Sequence, residues 1–462
     1  MALQRSQRHR LPLARRLQGA PLHVGPAAAA VGLVVAFVAA GATIGADARW
    51  LAALGRAVAD TGAIPHGVPY ASAPSDDWPN VPVLAELIVH GLVASLGDRG
   101  LLLAQVAAVT GAFTFLALDM RRNGAAGASS ALVLILIAFG SASSLFLIRG
   151  QLFSLVLFPA VAFLLRLETR APSRRIWLVP LVLALWSNLH GAVLVGLAIT
   201  GTYLVFDRAR RATLEAAAIL ASSVVAVCAT PALERTPAYY IGVMRNAAAQ
   251  RGEGLWAPLS LSSKLDLALA VTGVILIALA LRARPALWEA VALAALAVLT
   301  IKTARSGVWL LFFAGPLSAR SFRFRAGASR RWPAVATAAC LIVTVYEVAS
   351  GPRSSDVSGR LIQETLRQAR GTPVLADGRS AEQLALAGGR VWMSNPLDAF
   401  PLRDQRLYLD WLDGRAGGEA ALAHAPRAVL VRAYGAPEQL TVRSGEFRVA
   451  ARDAYGVLYV RR

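Results

Sequence analysis

Charge is what this sequence has least of. Only 16% of its 462 residues are Asp, Glu, Lys or Arg, against about a quarter in a soluble domain. Lysine is nearly absent, with Lys264 and Lys302 the only two. The two cysteines, Cys228 and Cys340, fall within or at the edge of apolar runs, which argues against a structural disulfide and more strongly against a thiol function. The six histidines are scattered, and none pairs with another at metal-ligand spacing. No Walker loop, no HExxH and no repeat of solenoid period occurs. The signatures of soluble enzymes are therefore missing, no metal site is expected, and composition names no cofactor.

What the chain has instead is apolar length. Hydrophobic residues make up 56% of it. Apolar stretches of about 17 to 20 residues recur through the first 350 positions, enough to cross a hydrocarbon core of about 30 Å. The chain reads as a polytopic α-helical membrane protein. Its net charge of +20 is carried in short arginine clusters between the apolar runs, such as "RSQRHR", "RAPSRR" (170–175), "RARR" (208–211) and "RSFRFRAGASRR" (320–331). Basic clusters at the ends of spans set topology on the cytoplasmic side, so this charge does not imply a nucleic-acid partner.

Threading on those clusters places spans near 26–45, 99–119, 130–147, 152–168, 176–188, 190–206, 212–229, 265–281, 286–302, 306–319 and 333–349. With the basic segment 1–25 in the cytoplasm, these spans (about eleven, several of them short for a hydrocarbon core of about 30 Å, so that tilted or half-buried helices would change the number by one or two) put the C-terminus outside. The first is expected to be a retained helix rather than a removed signal peptide. The membrane domain then runs from 26 to 350 with a large first outer loop at 46–98. Residues 351–462 form an extracytoplasmic α/β domain. In it, "TPVLAD", "RVWMSN", "RAVLVR" and "GVLYVRR" read as strands of a mostly parallel sheet. "SAEQLALA" and "RDQRLYLDWLDG" read as helices.

This threading gathers polar residues at one level. "WSNLHG" (186–191) becomes an outer turn between two spans. Asp47 follows the first span, and Arg149, Gln151, Asn188, His190, Lys302 and Arg305 fall at the same depth. Arg305 runs against the topology trend, and charge at such a depth is costly enough to suggest function. A carboxylate there can take a proton from an acceptor as an anomeric carbon is attacked, and cations can hold a leaving phosphate. Asp47 and Glu86 are the candidate catalytic carboxylates. Arg149, Gln151, Asn188, His190, Glu253, Lys302 and Arg305 are candidates for substrate binding. Each has a plainer alternative: Asp47 as a helix cap, Glu86 on the polar face of an interfacial helix, Asn188 and His190 as ties between helix ends, and Arg149 as an interface anchor.

The layout resembles the GT-C superfamily of polyprenyl-phosphate-sugar-dependent glycosyltransferases, which includes protein O-mannosyltransferases and lipid A aminoarabinose transferases. It is most similar to a group of bacterial multi-pass members whose first loop reads D-x-x-W-x-x-x-x-G…G-x-I-P…D-x-x-S…W-x-x-H-E-W-L-x-E. This chain offers Asp47, Trp50, Gly55, Gly62, Ile64, Pro65, Ser72, Trp78, Leu84 and Glu86 in that order. "RGQLF" (149–153) and "WSNLHG" stand where that group has R-P-Q-L-F and W-x-N-x-H-G. Val81, Pro82 and Val83 replace its His-Glu-Trp, and Ser394, Asn395 and Pro396 replace a tail Asp-Gly-Arg. These departures bear on substrate and activity rather than on fold.

The resemblance implies transfer of a sugar from a polyprenyl-phosphate donor to an acceptor on the outer face of a bacterial cytoplasmic membrane. Its partners would be that lipid and the bilayer. Two other readings stay open, a transporter or flippase-like protein and a non-catalytic scaffold of the same fold in cell-envelope assembly. The spans carry few charges at their middles and no paired interrupted helices, which speaks against transport.

Overall fold

The computed structural model describes residues 25–322, 331–353 and 356–462. All but one residue of the basic N-terminal segment, and most of "RSFRFRAGASRR", lie outside the described residues. The chain begins with α1 (Pro26–Gly41), a two-residue strand β1 (Thr43–Ile44), and the first-loop helices α2 (Ala48–Thr61) and α3 (Val83–Leu96). Next come α4 (Asp98–Arg122), α5 (Gly127–Gly140), the single turn α6 (Ala142–Leu145), β2 (Leu147–Ile148), α7 (Leu152–Arg170), α8 (Leu178–Ser187), α9 (Val193–Phe206) and α10 (Thr213–Val227). The short α11 (Thr236–Arg245) and α12 (Ala247–Arg251) precede α13 (Lys264–Arg282), α14 (Leu287–Lys302), α15 (Gly307–Ser318) and α16 (Arg331–Ser350).

Every apolar segment threaded as a span falls on one of these helices. Four of the described helices, α4, α7, α13 and α16, are long and apolar enough to cross a membrane by length and composition. Others are shorter. The 16 residues of α1 extend about 24 Å at 1.5 Å each, less than a hydrocarbon core of about 30 Å. The helix α3, threaded as part of an outer loop, is apolar too.

Similar composition leads to opposite burial in α15 and α16. Every residue of α15 is buried, as expected of a helix that is hydrophobic all round. Phe312 packs edge-on against Phe113 of α4 at 5.8 Å between ring centroids, and Phe313 meets Trp288 of α14 at the same separation. By contrast α16 leaves Trp332, Leu341, Ile342 and Tyr346 exposed, and it packs chiefly on α1.

The tail contains α17 (Gly359–Ala369), β3 (Val374–Ala376), α18 (Gly378–Leu386), α19 (Leu402–Asp413), β4 (Ala428–Arg432), α20 (Ala436–Arg443), β5 (Phe447–Arg452) and β6 (Gly456–Arg461). Its sheet has the order β3-β4-β6-β5. Here the expectation of a mostly parallel sheet is corrected: only β3 and β4 are parallel, and the other two pairings are antiparallel. A short turn joins β5 to β6, and a connection of that length permits only an antiparallel hairpin. "RVWMSN" is not a strand. Its Val391 bridges Val374 on one side and Ala71 of the first loop on the other. Asp377 caps α18 by accepting from the Ser380 N–H at 3.3 Å, and its other oxygen accepts from the Arg432 N–H at 2.6 Å.

Two hydrophobic clusters result, one among the apolar helices and one in the tail. The first loop belongs to both. Ala48 and Ala52 of α2 join the helical cluster, whereas Trp50, Ala53, Leu54, Val68, Ala73 and Trp78 join the tail's. An amphipathic helix normally has one buried stripe; α2 buries two, and so clamps the tail onto the membrane-side helices.

Candidate functional site

Two backbone segments far apart in sequence are paired beside the first-loop helix α2. β1 and β2 run parallel, with Thr43 opposite Leu147 and Ile44 opposite Ile148. The Gly45 N–H extends the ladder by donating to the Ile148 carbonyl at 2.9 Å. Asp47 and Arg149 leave this small sheet from neighbouring strands. Asp47 sits at the N-cap position of α2 with φ 81°, yet its side chain makes no cap bond. The plain reading of Asp47 as a helix cap therefore does not describe it. A left-handed Asp is uncommon, and its carboxylate is free for other work.

Arg149 is buried, and its Nε has no hydrogen-bond partner. Among the described residues no carboxylate lies within 4.0 Å of the Arg149 or Arg305 guanidinium. Burial draws the Arg149 pKa down, opposed by the charge of Asp47. Arg305 is part-buried and stacks over Trp256 at 3.8 Å. Burial and then repulsion from Arg149 pull it down to about 10, with Asp47 opposing. Asp47 itself is pushed upward by burial, against the pull of Arg149 and Arg305. Two cations thus share one carboxylate at a distance and have no close anion. Buried charge without a partner costs several kcal/mol, a cost that an incoming anion would relieve.

"WSNLHG" lies against this cluster. The His190 Nδ1 accepts from the Ala192 N–H at 3.1 Å and shares a 2.9 Å hydrogen bond with the Ser154 hydroxyl, which accepts from Trp186 Nε1 at 2.8 Å. With Nδ1 accepting, the neutral ring carries its proton on Nε2. A Cβ at Gly150 would stand 3.6 Å from His190 Cδ2, so this edge of the ring faces the backbone beside Arg149. Burial, Arg149 and Arg305 hold the His190 pKa down at about 3. His190 is a neutral N–H donor throughout the physiological range. Asn188 has a bracing role: its amide donates to the Ala184 and Ala229 carbonyls at 2.8 and 2.7 Å. Its own carbonyl accepts from the Ala85 N–H at 3.3 Å, which attaches α3 to the turn.

Glu86 is fully buried. Asn80 Nδ2 donates to its Oε2 at 2.8 Å, while Glu86 Oε1 and Asn80 Oδ1 are left without partners. Burial raises Glu86 to about 7, opposed by the Asn80 bond. Its helix crosses α2 so closely that a Cβ at Gly55 would stand 2.1 Å from the Glu86 carbonyl oxygen. Only glycine permits that approach. Two carboxylates absent from the sequence reading also surround Asp47, both from the tail. Glu382 accepts from the Asp47 N–H at 2.8 Å, and Asp398 accepts from Trp78 Nε1 at 2.9 Å. Tyr239 of α11 completes that side, 6.3 Å from the Trp78 ring. Nothing local marks these residues, because each reads as an ordinary polar position of its own segment.

The remaining candidates stand apart. Gln151 is buried just before α7. Lys302 is exposed at the end of α14. Glu253 pairs with Arg415 of the tail, and Arg251 beside it pairs with Asp410 at 2.8 Å. That contact docks the tail on the α11–α12 segment.

No family model matches this sequence, and no curated protein does. Solved structures do match. The chain is similar to ArnT from Cupriavidus metallidurans bound to undecaprenyl phosphate, with a TM-score of 0.55 at 15% identity over 94% of this chain and 97% of that one. It also matches the apo state of the same protein, with a TM-score of 0.45 at 13% identity. ArnT is a GT-C polyprenyl-phosphate-sugar-dependent glycosyltransferase. At this identity the likeness establishes the fold, and the resemblance drawn from the first-loop and "WSNLHG" motifs holds at that level.

Proposed function

We propose that this protein is a membrane glycosyltransferase that moves a sugar from a polyprenyl-phosphate donor to an acceptor at the outer face of a bacterial cytoplasmic membrane. One observation carries the reading: two cations without a close anion, Arg149 and Arg305, flank a half-buried Asp47 whose carboxylate does not cap its helix. The similar ArnT structure holds undecaprenyl phosphate, a lipid of the kind such a site would hold. Spans of the threaded number, with the tail outside, complete the reading.

The residues divide the chemistry among them. Arg149 and Arg305 hold the phosphate and take up the charge that grows as the bond from the anomeric carbon to the phosphate oxygen breaks. That electron pair leaves with the polyprenyl phosphate. An acceptor hydroxyl forms the new bond to the anomeric carbon and gives its proton to Asp47. The upward shift of Asp47 makes it a stronger base than an exposed carboxylate. His190 offers Nε2–H to a phosphate or sugar oxygen without adding charge. Glu86 is better placed as a neutral brace, since a proton on it supplies a donor where two buried acceptors lack one.

The test is consumption of polyprenyl-phosphate sugars from a bacterial lipid extract by the purified chain, run alongside binding of undecaprenyl phosphate. Binding with turnover supports the transferase. Binding without turnover for any extract leaves a scaffold, and a protein that does neither overturns the reading.

A further inference from the structure

The unexplained feature beside the site is the contact between Asp47 and the tail. Asp47 and Glu382 are 335 positions apart, yet the Asp47 N–H donates to Glu382 Oε1 at 2.8 Å. Glu382 is 1% exposed, and the same oxygen accepts from Asn395 Nδ2 at 3.2 Å. The surroundings secure this contact on three sides. Arg56 of α2 donates to the Leu386 and Ala385 carbonyls at the end of α18, at 2.7 and 3.2 Å. The Ala73 N–H donates to the Trp392 carbonyl at 2.9 Å, and Trp78 reaches Asp398.

A left-handed backbone is uncommon and strained for a residue with a Cβ and persists where its surroundings over-determine it. At Asp47 that conformation turns the residue away from capping α2. Its backbone N–H precedes the hydrogen bonds of α2 and would be an orphan donor without an acceptor. Glu382 is that acceptor.

We infer that Glu382 is a positioning residue: through its bond to the Asp47 N–H, the tail domain holds Asp47 in the left-handed conformation that aims its carboxylate at Arg149 and Arg305, so the transfer site is assembled across the two hydrophobic cores. This inference rests on the transferase reading for its kinetic consequence, but not for its structural one. Burial, followed by the charge of Asp47, raises Glu382 to about 8. It is therefore protonated at neutral pH and puts no second negative charge beside the phosphate subsite. The neutral acid is closely mimicked by glutamine, which keeps an acceptor oxygen and a donor.

Three variants of the full chain test the inference, with undecaprenyl phosphate as the binding probe. Glu382→Ala should lose about 10- to 100-fold in turnover, the scale of an ångström-sized misplacement of a reacting group. Its Kd for undecaprenyl phosphate should stay within about twofold, because the phosphate is held by Arg149 and Arg305. Glu382→Gln should restore most of the turnover, and Glu382→Asp, with its acceptor drawn back, should fall between. Amide exchange of the peptide spanning 43–50 should speed up in the alanine variant and stay slow with glutamine. Equal loss of binding and turnover in Glu382→Ala would show a merely structural role and overturn the inference, as would wild-type turnover. If the alanine variant fails to fold, Glu382→Asp decides by the same criteria. If the wild-type chain proves inactive, the transferase reading falls, and amide exchange alone decides whether Glu382 fixes Asp47: unchanged protection in both the alanine and aspartate variants overturns it.

Discussion

Two groups of buried charge lie at opposite ends of α7, and they are built on opposite plans. Near its C-terminal end, Arg166 meets Asp119 at 2.5 Å, Glu289 at 3.1 Å and the Phe313 carbonyl at 2.7 Å. Two carboxylates and a backbone oxygen, one from each of three helices, converge on one guanidinium, which also lies 4.5 Å from the Phe313 ring centroid. Just before the N-terminal end, Arg149 is nearly as buried and has no such escort. A chain that closes one arginine so fully at one end of a helix and leaves another open at the other end has the means to pair both. The closed cluster ties α4, α7, α14 and α15 together. The open one leaves Arg149 without a close anion among the described residues, which is what the proposed phosphate subsite requires.

That contrast can be broken by substitution. The largest effect is expected for Arg166→Met, which strands the Asp119 and Glu289 carboxylates in the interior. Loss of one partner from a buried ion pair costs about 3–5 kcal/mol, so thermal unfolding in detergent should show a severely destabilised protein. Asp47→Asn comes next. It keeps size and hydrogen bonding but loses basicity, and turnover should fall about 10²-fold or more with the melting temperature little changed. Unaltered turnover would move the base elsewhere. Arg149→Met is the counterpart of the first substitution and should behave in the opposite way. Removing a buried charge that has no close partner, with Arg305 still facing Asp47, strands no carboxylate, so stability should hold or rise while undecaprenyl phosphate binding falls by at least about tenfold, the worth of a charge-assisted contact. A marked loss of stability would place Arg149 in a closed network like that of Arg166.

A further expectation concerns pH. Glu382 titrates ordinarily at 4.5 and is held at about 8 in the folded protein. Between those values the folded chain keeps a proton that the unfolded chain has released. Its contribution is fully present below 4.5 and is lost as the pH rises through about 8. Thermal unfolding followed across that window should show wild-type stability declining relative to Glu382→Gln. Parallel curves would mean that Glu382 titrates normally.

Much of the fold was legible because its cause is local. A run of apolar residues between arginines has one economical solution in a bilayer, a helix that satisfies its own backbone, and each threaded segment is a helix. Asp47 and Arg149 were legible for a related reason: each directly follows or precedes an apolar run, so depth alone places them together. The strand Phe447–Arg452 escaped notice because it is an edge strand with Arg448, Val449 and Ala450 exposed, and its pattern lacks an apolar face. The sheet's direction was misjudged with it, since the missing hairpin partner is what makes β6 antiparallel.

The other half of the site was hidden by distance. Glu382 sits in "SAEQLALA", where a carboxylate on a short amphipathic helix ordinarily faces water. Only the docking of α18 on α2 turns it inward, and that docking depends on Arg56, Ala73 and Trp78 meeting residues more than 300 positions later. Glu253 shows the converse, a candidate acid that the fold assigns to a pair with Arg415 of the tail. The sequence by itself determined which segments are apolar helices, and which charges flank them, because transfer free energy is a property of each residue and its near neighbours. Only the tertiary structure decided which of those charges are paired and which are left open, because electrostatic energy depends on separations of a few ångströms that chain order does not encode.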